Sequence, residues 1–214
     1  MSKFVSLCCL LFVSISGYAL NEIVFAPSAT LTGGGTVCQN STGPTLTFTG
    51  SGGVAPYTFT YTVNGGAQQT LTTTSGSSAT LIAPTSASGS FIYQLVTVSD
   101  SSTPVQTATV TGSVTVNVLA QPDATMGGTG AGTTFNGTPV FRVCLNSTST
   151  FTFTNTSSTT ATNQNYTINW GDGSPNFTGS TWTSQTHIYS VGLWNMTYTI
   201  VGTNGCTINK NYIV

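Results

Sequence analysis

Apolar residues alternate with threonine in several short stretches of the chain. Residues 45–49 are Thr-Leu-Thr-Phe-Thr, and residues 57–63 are Tyr-Thr-Phe-Thr-Tyr-Thr-Val. A period of two places the apolar side chains on one face of a strand and the hydroxyls on the other. Threonine suits the outer face because it is β-branched and its hydroxyl stays hydrated. The pattern predicts half-buried β-strands.

Turn signals separate these stretches. The second stretch is followed by Asn64-Gly65-Gly66, and an Asn-Gly pair readily adopts the positive φ of a tight hairpin turn. Beyond residue 19, no segment repeats apolar residues at i, i+3 and i+4 over the length that a helix needs. The sequence therefore predicts an all-β fold of many short strands joined by Gly, Ser and Pro turns.

Two segments of the sequence occur twice. Residues 37–42 (Val-Cys-Gln-Asn-Ser-Thr) resemble residues 143–148 (Val-Cys-Leu-Asn-Ser-Thr), and each precedes a threonine-rich stretch. Residues 89–95 likewise match residues 192–198, with a glycine followed by alternate large apolar residues. Both repeats are separated by about a hundred residues, the usual length of an immunoglobulin-like domain.

The repeat predicts two tandem immunoglobulin-like β-sandwich modules. We place the first at residues 20–119 and the second at residues 124–214. Residues 120–123 (Ala-Gln-Pro-Asp) form a short linker that contains proline and is not a flexible tether.

The amino-terminal residues 1–19 follow a different pattern. Lys3 precedes an apolar run over residues 4–15, and Ser-Gly-Tyr-Ala follows at residues 16–19. A basic residue, a short apolar run and a small-x-small site are typical of a secretory signal peptide. The run is shorter than the ~20 residues that span a bilayer. We therefore expect cleavage before Leu20, export as a secreted or cell-surface protein, and no membrane insertion of the mature chain.

The composition excludes some partners. Charged residues make up 3% of the chain and hydrophobic residues 38%, whereas an average soluble protein has about 25% charged residues. After signal cleavage the cations are Arg142 and Lys210. Because phosphate binding and attraction to anionic lipid need several basic residues, we expect no nucleic-acid partner and no polybasic membrane contact.

The second repeat carries a recognisable set of motifs. Residues 166–174 are Tyr-Thr-Ile-Asn-Trp-Gly-Asp-Gly-Ser, residues 187–189 are His-Ile-Tyr, and residues 192–198 contain Gly-x-Trp-x-Met-x-Tyr. This set resembles the PKD-type immunoglobulin-like domain, with its WGDGS-like turn, HTY-like element and G-x-Y-x-V strand. The resemblance implies a structural motif in which the aspartate holds its own turn and the histidine packs beside it. Its members here are Trp170, Asp172, His187, Tyr189 and Gly192.

The first repeat resembles the related Ig-like repeats of very long Bacteroidetes cell-surface proteins. These proteins include gliding-motility adhesins and type IX secretion cargo. The stretches that carry the resemblance are residues 45–53, 55–59 and 93–102. The resemblance implies neighbouring Ig-like modules as partners, together with surface glycans or proteins as candidate adhesion ligands.

Three cysteines follow the signal peptide: Cys38, Cys144 and Cys206. The last two fall in one module, and a bond between them would contribute about 4 kcal/mol in the loop-entropy model. We therefore predict a disulfide between Cys144 and Cys206. For Cys38 two alternatives remain: a free buried thiol, which we prefer, or a bond to a neighbouring module or chain.

The residues with chemical potential do not form a specific enzyme signature. His187 and Asp172, with Ser174 or Ser184, supply the residue types of a hydrolase triad, but serine is too common here for that coincidence to carry weight. Asp172 with Asn169 is a thin basis for calcium. Zinc is excluded by the single histidine and the lack of a close cysteine pair. We predict no enzyme activity, no catalytic residues, no metal and no cofactor.

Two function classes remain. The first is a structural or adhesive module array of an exported bacterial cell-surface protein. The second is the non-catalytic part of a secreted hydrolase. Polysaccharide binding would depend on Trp182 being exposed in a loop, and we prefer a core position for that residue.

We also expect the chain to be the amino-terminal piece of a longer polypeptide. Val214 follows Cys206 so closely that the final strand of the second module has barely begun in this interpretation. A strand edge left open there would invite pairing with another chain.

Overall fold

The computed structural model describes residues 25–144 and 147–214. The expected signal peptide lies outside the described residues. The strands are β1 (Ser28–Thr32), β2 (Gly35–Cys38), β3 (Thr45–Ser51), β4 (Thr58–Val63), β5 (Gln69–Thr72), β6 (Ser78–Ile82), β7 (Gly89–Ser99), β8 (Thr107–Thr109), β9 (Ser113–Leu119), β10 (Met126–Gly128), β11 (Thr133–Phe135), β12 (Thr138–Val140), β13 (Ser149–Asn155), β14 (Asn163–Asn169), β15 (Phe177–Gly179), β16 (Ser184–Tyr189), β17 (Asn195–Gly202) and β18 (Thr207–Ile213). One 3-10 turn spans Thr160–Thr162, and the described residues contain no α-helix.

The all-β prediction is therefore confirmed. Nothing helical in the described part of the chain has the length and apolar character needed to cross a bilayer. The predicted hairpin is also present, since β4 and β5 pair in antiparallel register around Asn64 and Gly65. Both turn residues have positive φ, at 51° and 68°.

Strands β1 to β9 form the first sandwich. One sheet has the order β1-β3-β6, and the other has the order β2-β9-β7-β4-β5, with β8 paired to β7. Neighbouring strands are antiparallel except β2 and β9, which run parallel. Side chains from both sheets meet in one core that includes Leu46, Phe48, Phe59 and Val98. The alternating pattern in the sequence is thus the inner face of each sheet.

Strands β10 to β18 form the second sandwich. Its sheets have the orders β10-β13-β16 and β11-β12-β18-β17-β14-β15. Again one neighbouring pair is parallel, β12 with β18, and it lies in the same place as β2 with β9. The core is more aromatic than that of the first sandwich and includes Trp170 and Trp182. Within it Phe153 contacts both Phe141 and Trp170, with ring centroids 5.1 and 5.6 Å apart.

The last strand departs from our expectation. Strand β18 pairs with β17 over seven consecutive residues, from Thr207 opposite Val201 to Ile213 opposite Asn195. The prediction that this strand has barely begun at Val214 is therefore wrong. The sequence interpretation puts the start of this strand close to Val214, whereas β18 begins at Thr207, directly after Cys206.

The cysteine pairing also departs from our expectation. Cys38 is bonded to Cys206, with an S–S distance of 2.07 Å. Cys144 is free and exposed. The predicted Cys144–Cys206 bond is wrong, because Cys144 lies in the loop after β12 while Cys206 lies at the opposite end of the same sandwich. The preferred free thiol at Cys38 is also wrong, because Cys38 is bonded to Cys206. The alternative, a bond to a neighbouring module, is observed.

Candidate functional site

The Gly-Asp-Gly turn connects β14 to β15 at one end of the second sandwich. Asp172 occupies its centre, between two glycines that both have positive φ, 83° at Gly171 and 86° at Gly173. A side chain is strained in that conformation, so glycine is favoured on either side. A Cβ on Gly171 would also lie 2.2 Å from the carbonyl oxygen of Asn195. Gly171 therefore packs closely against the first residue of β17.

Asp172 accepts three hydrogen bonds. The amide and hydroxyl of Ser174 donate to Oδ1 at 3.0 and 2.6 Å, which is an Asx turn. His187 from β16 places Nε2 2.7 Å from Oδ2. The side chains of His187 and Asp172 are 16% and 15% exposed, so this pair is largely shielded from water.

Aromatic rings fix the histidine in place. The imidazole of His187 stacks on Trp170 with centroids 4.4 Å apart and planes 3° from parallel. Tyr189, two residues along β16, packs edge-on against the imidazole, and its hydroxyl donates to the Trp170 carbonyl at 2.9 Å. The motif residues Trp170, Asp172, His187 and Tyr189 are thus in mutual contact. Gly192 lies beyond them and packs against Trp194.

The surroundings of Asp172 favour its ionised form. Burial alone would raise the pKa of this carboxyl, but the hydrogen bonds from Ser174 and His187 lower it to about 2. The carboxylate is therefore charged at neutral pH, and its acceptor positions are taken by groups of its own turn and of β16.

The geometry of the serine does not match a hydrolase triad. In a triad the histidine accepts the serine proton on one ring nitrogen and bonds the carboxylate through the other. Here Asp172 and Ser174 both approach the same nitrogen, Nε2 of His187, at 2.7 and 3.3 Å. The Ser174 hydroxyl also donates to Asp172. The second serine considered, Ser184, lies on the opposite, exposed face of β16 from His187.

The oxygens considered for calcium are also engaged. Asn169 Oδ1 accepts the amide of Gly171 at 2.9 Å, and Asp172 is occupied as described. Across residues 25–144 and 147–214, no group of three or more His, Cys, Asp or Glu side chains is placed to hold a metal ion.

The same turn chemistry recurs at two other aspartates. Asp100 accepts the amide and hydroxyl of Ser102, and Asp123 accepts those of Thr125. Asp100 also binds the amides of Val54 and Gln106. Each aspartate therefore ties a loop to itself or to a neighbouring loop.

Hydrogen bonding dominates the pKa of these two aspartates as well. Burial would raise the pKa of Asp100, but four hydrogen bonds lower it to about 2. The pKa of Asp123 is lowered in the same way, mainly by the amide and hydroxyl of Ser158. Our sequence reasoning missed both residues as structural anchors. The signal was available, because each precedes a Ser or Thr by two positions, as Asp172 does.

The joint between the sandwiches brings together residues that are distant in the chain. The turn from β17 to β18 (residues 202–206) folds against the linker, where Asn204 Nδ2 donates to the carbonyl of Ala120 at 2.9 Å. Asn204 Oδ1 in turn accepts the amide of Cys206 at 3.0 Å. Cys206 is fully buried and bonded to Cys38 at the end of β2.

The strand that leads into the linker is held on the side of the first sandwich. The amide of Gln39, next to Cys38, donates to the carbonyl of Leu119 at 2.8 Å. A Cβ on Gly202 would lie 3.2 Å from the ring of Pro122, so the turn and the linker are in close contact. The joint therefore combines a covalent bond, a side-chain hydrogen bond from Asn204 and packing against Pro122.

Trp182 lies in the core and not at the surface. Its side chain is 8% exposed, and Nε1 donates to the hydroxyl of Tyr198 at 3.0 Å. The glycan-binding alternative that needed an exposed Trp182 is therefore wrong. The residue follows β15 and closes the interior of the second sandwich against β17.

Comparisons with known proteins show no family for this chain. No protein-family model matches the sequence, and no curated protein matches it significantly. Solved structures that are similar to this chain include a 1.5-MDa bacterial ice-binding adhesin, with 15% identity over 88% of this chain and a TM-score of 0.37. This chain covers 63% of that structure.

Two further structures contain fibronectin type III modules. A two-domain segment of chicken tenascin has 10% identity and a TM-score of 0.31, with 88% of this chain and 98% of that one covered. The fibronectin(III)-like modules of Clostridium thermocellum CbhA have 11% identity and a TM-score of 0.27, with coverages of 86% and 92%. At these values the similarities assign neither a family nor a function.

Proposed function

We propose that this chain is a stiff structural pair of Ig-like modules in an exported bacterial surface protein, where it spaces or presents adhesive surfaces. The observation that carries the proposal is the joint. A disulfide between Cys38 and Cys206 bridges a linker of four residues, so the two sandwiches are connected at two points and not one. A second connection restricts both bending and rotation about the linker.

The disulfide, the amino-terminal sequence and the surface composition support an extracellular location. Disulfides persist in oxidising compartments and are rare in the cytosol. The residues before Leu20 have the pattern of a signal peptide, which agrees with that compartment. A surface of hydroxyl and amide groups, with charged residues at 3% of the chain, remains hydrated without attracting polyanions.

We further propose that the second sandwich is a PKD-type module and that the first belongs to the related Ig-like repeats of Bacteroidetes surface proteins. The contacts among Trp170, Asp172 and His187 support the first assignment. In this proposal Trp170, Asp172, Ser174 and His187 form a structural motif, which we call the Asp172 corner. Its polar atoms bond to one another and leave no activated nucleophile.

Small-angle X-ray scattering tests the role of the joint. We expect the unmodified chain to scatter as one rigid elongated particle. The double variant Cys38→Ser/Cys206→Ser should show a larger spread of particle dimensions, because a flexible hinge replaces the second connection. Cys144→Ser is the matched control and should scatter like the unmodified chain. Equal flexibility in all three proteins would contradict the spacer function.

Export has its own test. Amino-terminal sequencing of the protein from its native cell should begin at Leu20, and a cytoplasmic product that retains Met1 would contradict the surface location. The coding sequence around the chain separates the array from the hydrolase alternative. Further Ig-like modules favour the array, and an adjoining catalytic domain favours the hydrolase.

A further inference from the structure

Asparagine precedes glycine at three places in the chain: residues 64–65, 136–137 and 204–205. All six residues are exposed. Glycine has no side chain to shield its amide nitrogen, so this nitrogen can reach the side-chain carbonyl carbon of the preceding asparagine. Attack at that carbon converts the asparagine spontaneously to an acid. The three sites share this chemistry and differ in how the structure holds the asparagine side chain.

The reaction is a ring closure within the backbone. The glycine nitrogen bonds to Cγ of the asparagine, the bond from Cγ to Nδ2 breaks, and Nδ2 leaves as ammonia with the proton of the glycine amide. Water then opens the cyclic imide at either carbonyl, which yields aspartate or isoaspartate. No oxidant or cofactor takes part, and closure is faster in mildly alkaline solution because the amide has to lose its proton. The side chain has to rotate before its Cγ meets that nitrogen.

Asn64 and Asn136 form a matched pair of sites. Both residues are in the left-handed region, with φ of 51° and 48°, and each is followed by a glycine that also has positive φ. Each site lies in a turn between two antiparallel strands, β4 and β5 for the first and β11 and β12 for the second. Backbone conformation therefore does not separate the two sites.

Side-chain hydrogen bonds do separate them. Asn64 Oδ1 accepts the amide of Ile92 at 2.7 Å, and Nδ2 donates to the carbonyl of Ser90 at 3.2 Å, so both ends of its side-chain amide are tied to β7. No such contact holds Asn136 among the described residues, and it lies at the exposed tip of the short β11–β12 hairpin. Ring closure at Asn64 first has to break two hydrogen bonds, whereas no protein contact opposes rotation of the Asn136 side chain.

The third site belongs to the joint. Asn204 Nδ2 donates to the carbonyl of Ala120, and Oδ1 accepts the amide of Cys206, so the linker and the turn hold both ends of this side chain. The amide of Gly205, which is the attacking group in ring closure, donates to the carbonyl of Gly202 at 3.0 Å. The disulfide at Cys206 fixes the turn to the first sandwich. Both reacting groups of this site are therefore engaged.

We propose that Asn136 is a site of spontaneous deamidation in the folded protein and that the joint protects Asn204 from the same reaction. Conversion at Asn136 adds a carboxylate to an exposed hairpin, which is a large relative change on a chain with 3% charged residues. Conversion of Asn204 to aspartate would replace the Nδ2–H donor by an oxygen that faces the carbonyl oxygen of Ala120. Protection of Asn204 therefore keeps the linker attached to the turn.

Peptide mapping over time provides the test. The oxidised full chain is incubated in mildly alkaline buffer, and mass spectrometry follows the conversion of each Asn-Gly peptide to its aspartate and isoaspartate forms. Asn136 should convert about tenfold faster than Asn64, because two hydrogen bonds oppose closure at Asn64. In urea all three sites should convert at similar rates, since the fold no longer holds any of them. Equal rates at Asn64 and Asn136 in the folded chain would overturn the proposal.

An open joint tests the protection of Asn204. The variant Cys38→Ser/Cys144→Ser lacks the disulfide but keeps residues 202–206 unchanged, and Cys144→Ser alone is its matched control. We expect the double variant to convert Asn204 about tenfold faster than the control, because the turn is no longer fixed to the first sandwich. The rate at Asn64 should be the same in both proteins, which shows that the first sandwich stays folded.

Three outcomes would show that the joint does not protect this site. The first is a rate at Asn204 that equals the rate at Asn136 in the oxidised protein. The second is an Asn204 rate that stays the same when the disulfide is absent. The third is an equal acceleration at Asn64, which would assign the effect to loss of the fold and not to the joint.

Discussion

The two sandwiches have similar strands, but the residues and contacts in their cores differ. Leu95 of β7 and Tyr198 of β17 occupy matching positions in the repeat, and both are buried. The first is aliphatic and makes contacts of packing alone. The second carries a hydroxyl that accepts a hydrogen bond from Trp182 across the core. The second core thus has a hydrogen bond between two buried side chains, whereas the Tyr61 hydroxyl of the first core donates to the exposed Gln69.

The sandwiches also differ at their ends. The first sandwich has its Val-Cys segment bonded at the joint, while the second has its segment exposed. At the end of the second sandwich that lies away from the joint, Asp172 and His187 form a hydrogen-bonded pair. The comparison teaches that segments repeated in the sequence need not share a role, since one Val-Cys segment is bonded at the joint and the other is exposed.

The largest expected effects come from matched core positions. Phe48 of β3 and Phe153 of β13 are both fully buried, each in the core of its own sandwich. Replacement of either by Ala should destabilise its own sandwich by about 3–5 kcal/mol, from lost burial and the cavity left behind. Differential scanning calorimetry should show that Phe48→Ala lowers one transition and that Phe153→Ala lowers the other.

A single shared transition would blur this comparison. If both variants lower one common transition equally, the two sandwiches unfold as one cooperative unit. The two cores then have no separate stabilities to compare. Thr47→Ala in β3 and Thr152→Ala in β13 are the controls. Neither side chain contributes to a core, so each should shift stability by no more than about 0.5 kcal/mol.

The next effect concerns the joint. Cys38→Ser/Cys206→Ser should lower the free energy of unfolding of the chain by about 2–4 kcal/mol, because the unfolded state regains the freedom that the crosslink removes. Chemical denaturation without reductant measures this loss. Cys144→Ser should leave the denaturation midpoint in place, and a loss as large as that of the double variant would mean that Cys144 also belongs to the joint.

Much of the fold followed from local pattern. The period of two in β3 and β4 and the Asn64-Gly65 turn are set by neighbouring residues, so they could be predicted without tertiary information. The cysteine pairing could not, because it depends on which end of each sandwich faces the linker. The count of residues between Cys144 and Cys206 does not show that they lie at opposite ends of one module.

The Asp172 corner could be predicted from the sequence for a different reason. Its turn is local, and its resemblance to a known motif supplied the distant partner, His187. Asp100 and Asp123 lack such a motif, so their bonds to Val54 and Ser158 were hidden. Long-range hydrogen bonds of this kind depend on how loops meet, and the sequence pattern carries no measure of that.

Asp172 provides a prediction that depends on pH. Asp172→Asn should cost about 1–3 kcal/mol near neutral pH, because the charged acceptor of Ser174 and His187 is lost. The pKa of Asp172 is lowered from 3.8 to about 2 in the fold, so its contribution is full above its ordinary pKa and declines as the pH falls through about 2. Denaturation at several pH values should therefore show the difference between the two proteins shrinking from pH 4 towards pH 2.

The opposite trend would contradict this account of the corner. A difference that grows on acidification would mean that Asp172 is protonated in the fold. Asn169→Ala is a useful control because Asn169 lies in the same turn and does not titrate. It loses one bond to Gly171, so its cost should not change between pH 4 and pH 2.

The smallest effect tests the polar contact within the second core. Trp182→Phe keeps an aromatic ring against Phe177 and Tyr198 but removes the indole N–H. The Tyr198 hydroxyl then loses its donor inside the core, which should cost about 0.5–1.5 kcal/mol. Leu95→Met in the first sandwich is the matched control, since it conserves volume and breaks no hydrogen bond. If Trp182→Phe leaves stability unchanged in urea denaturation, the cross-core hydrogen bond does not distinguish the two sandwiches, and their difference reduces to the joint and the Asp172 corner.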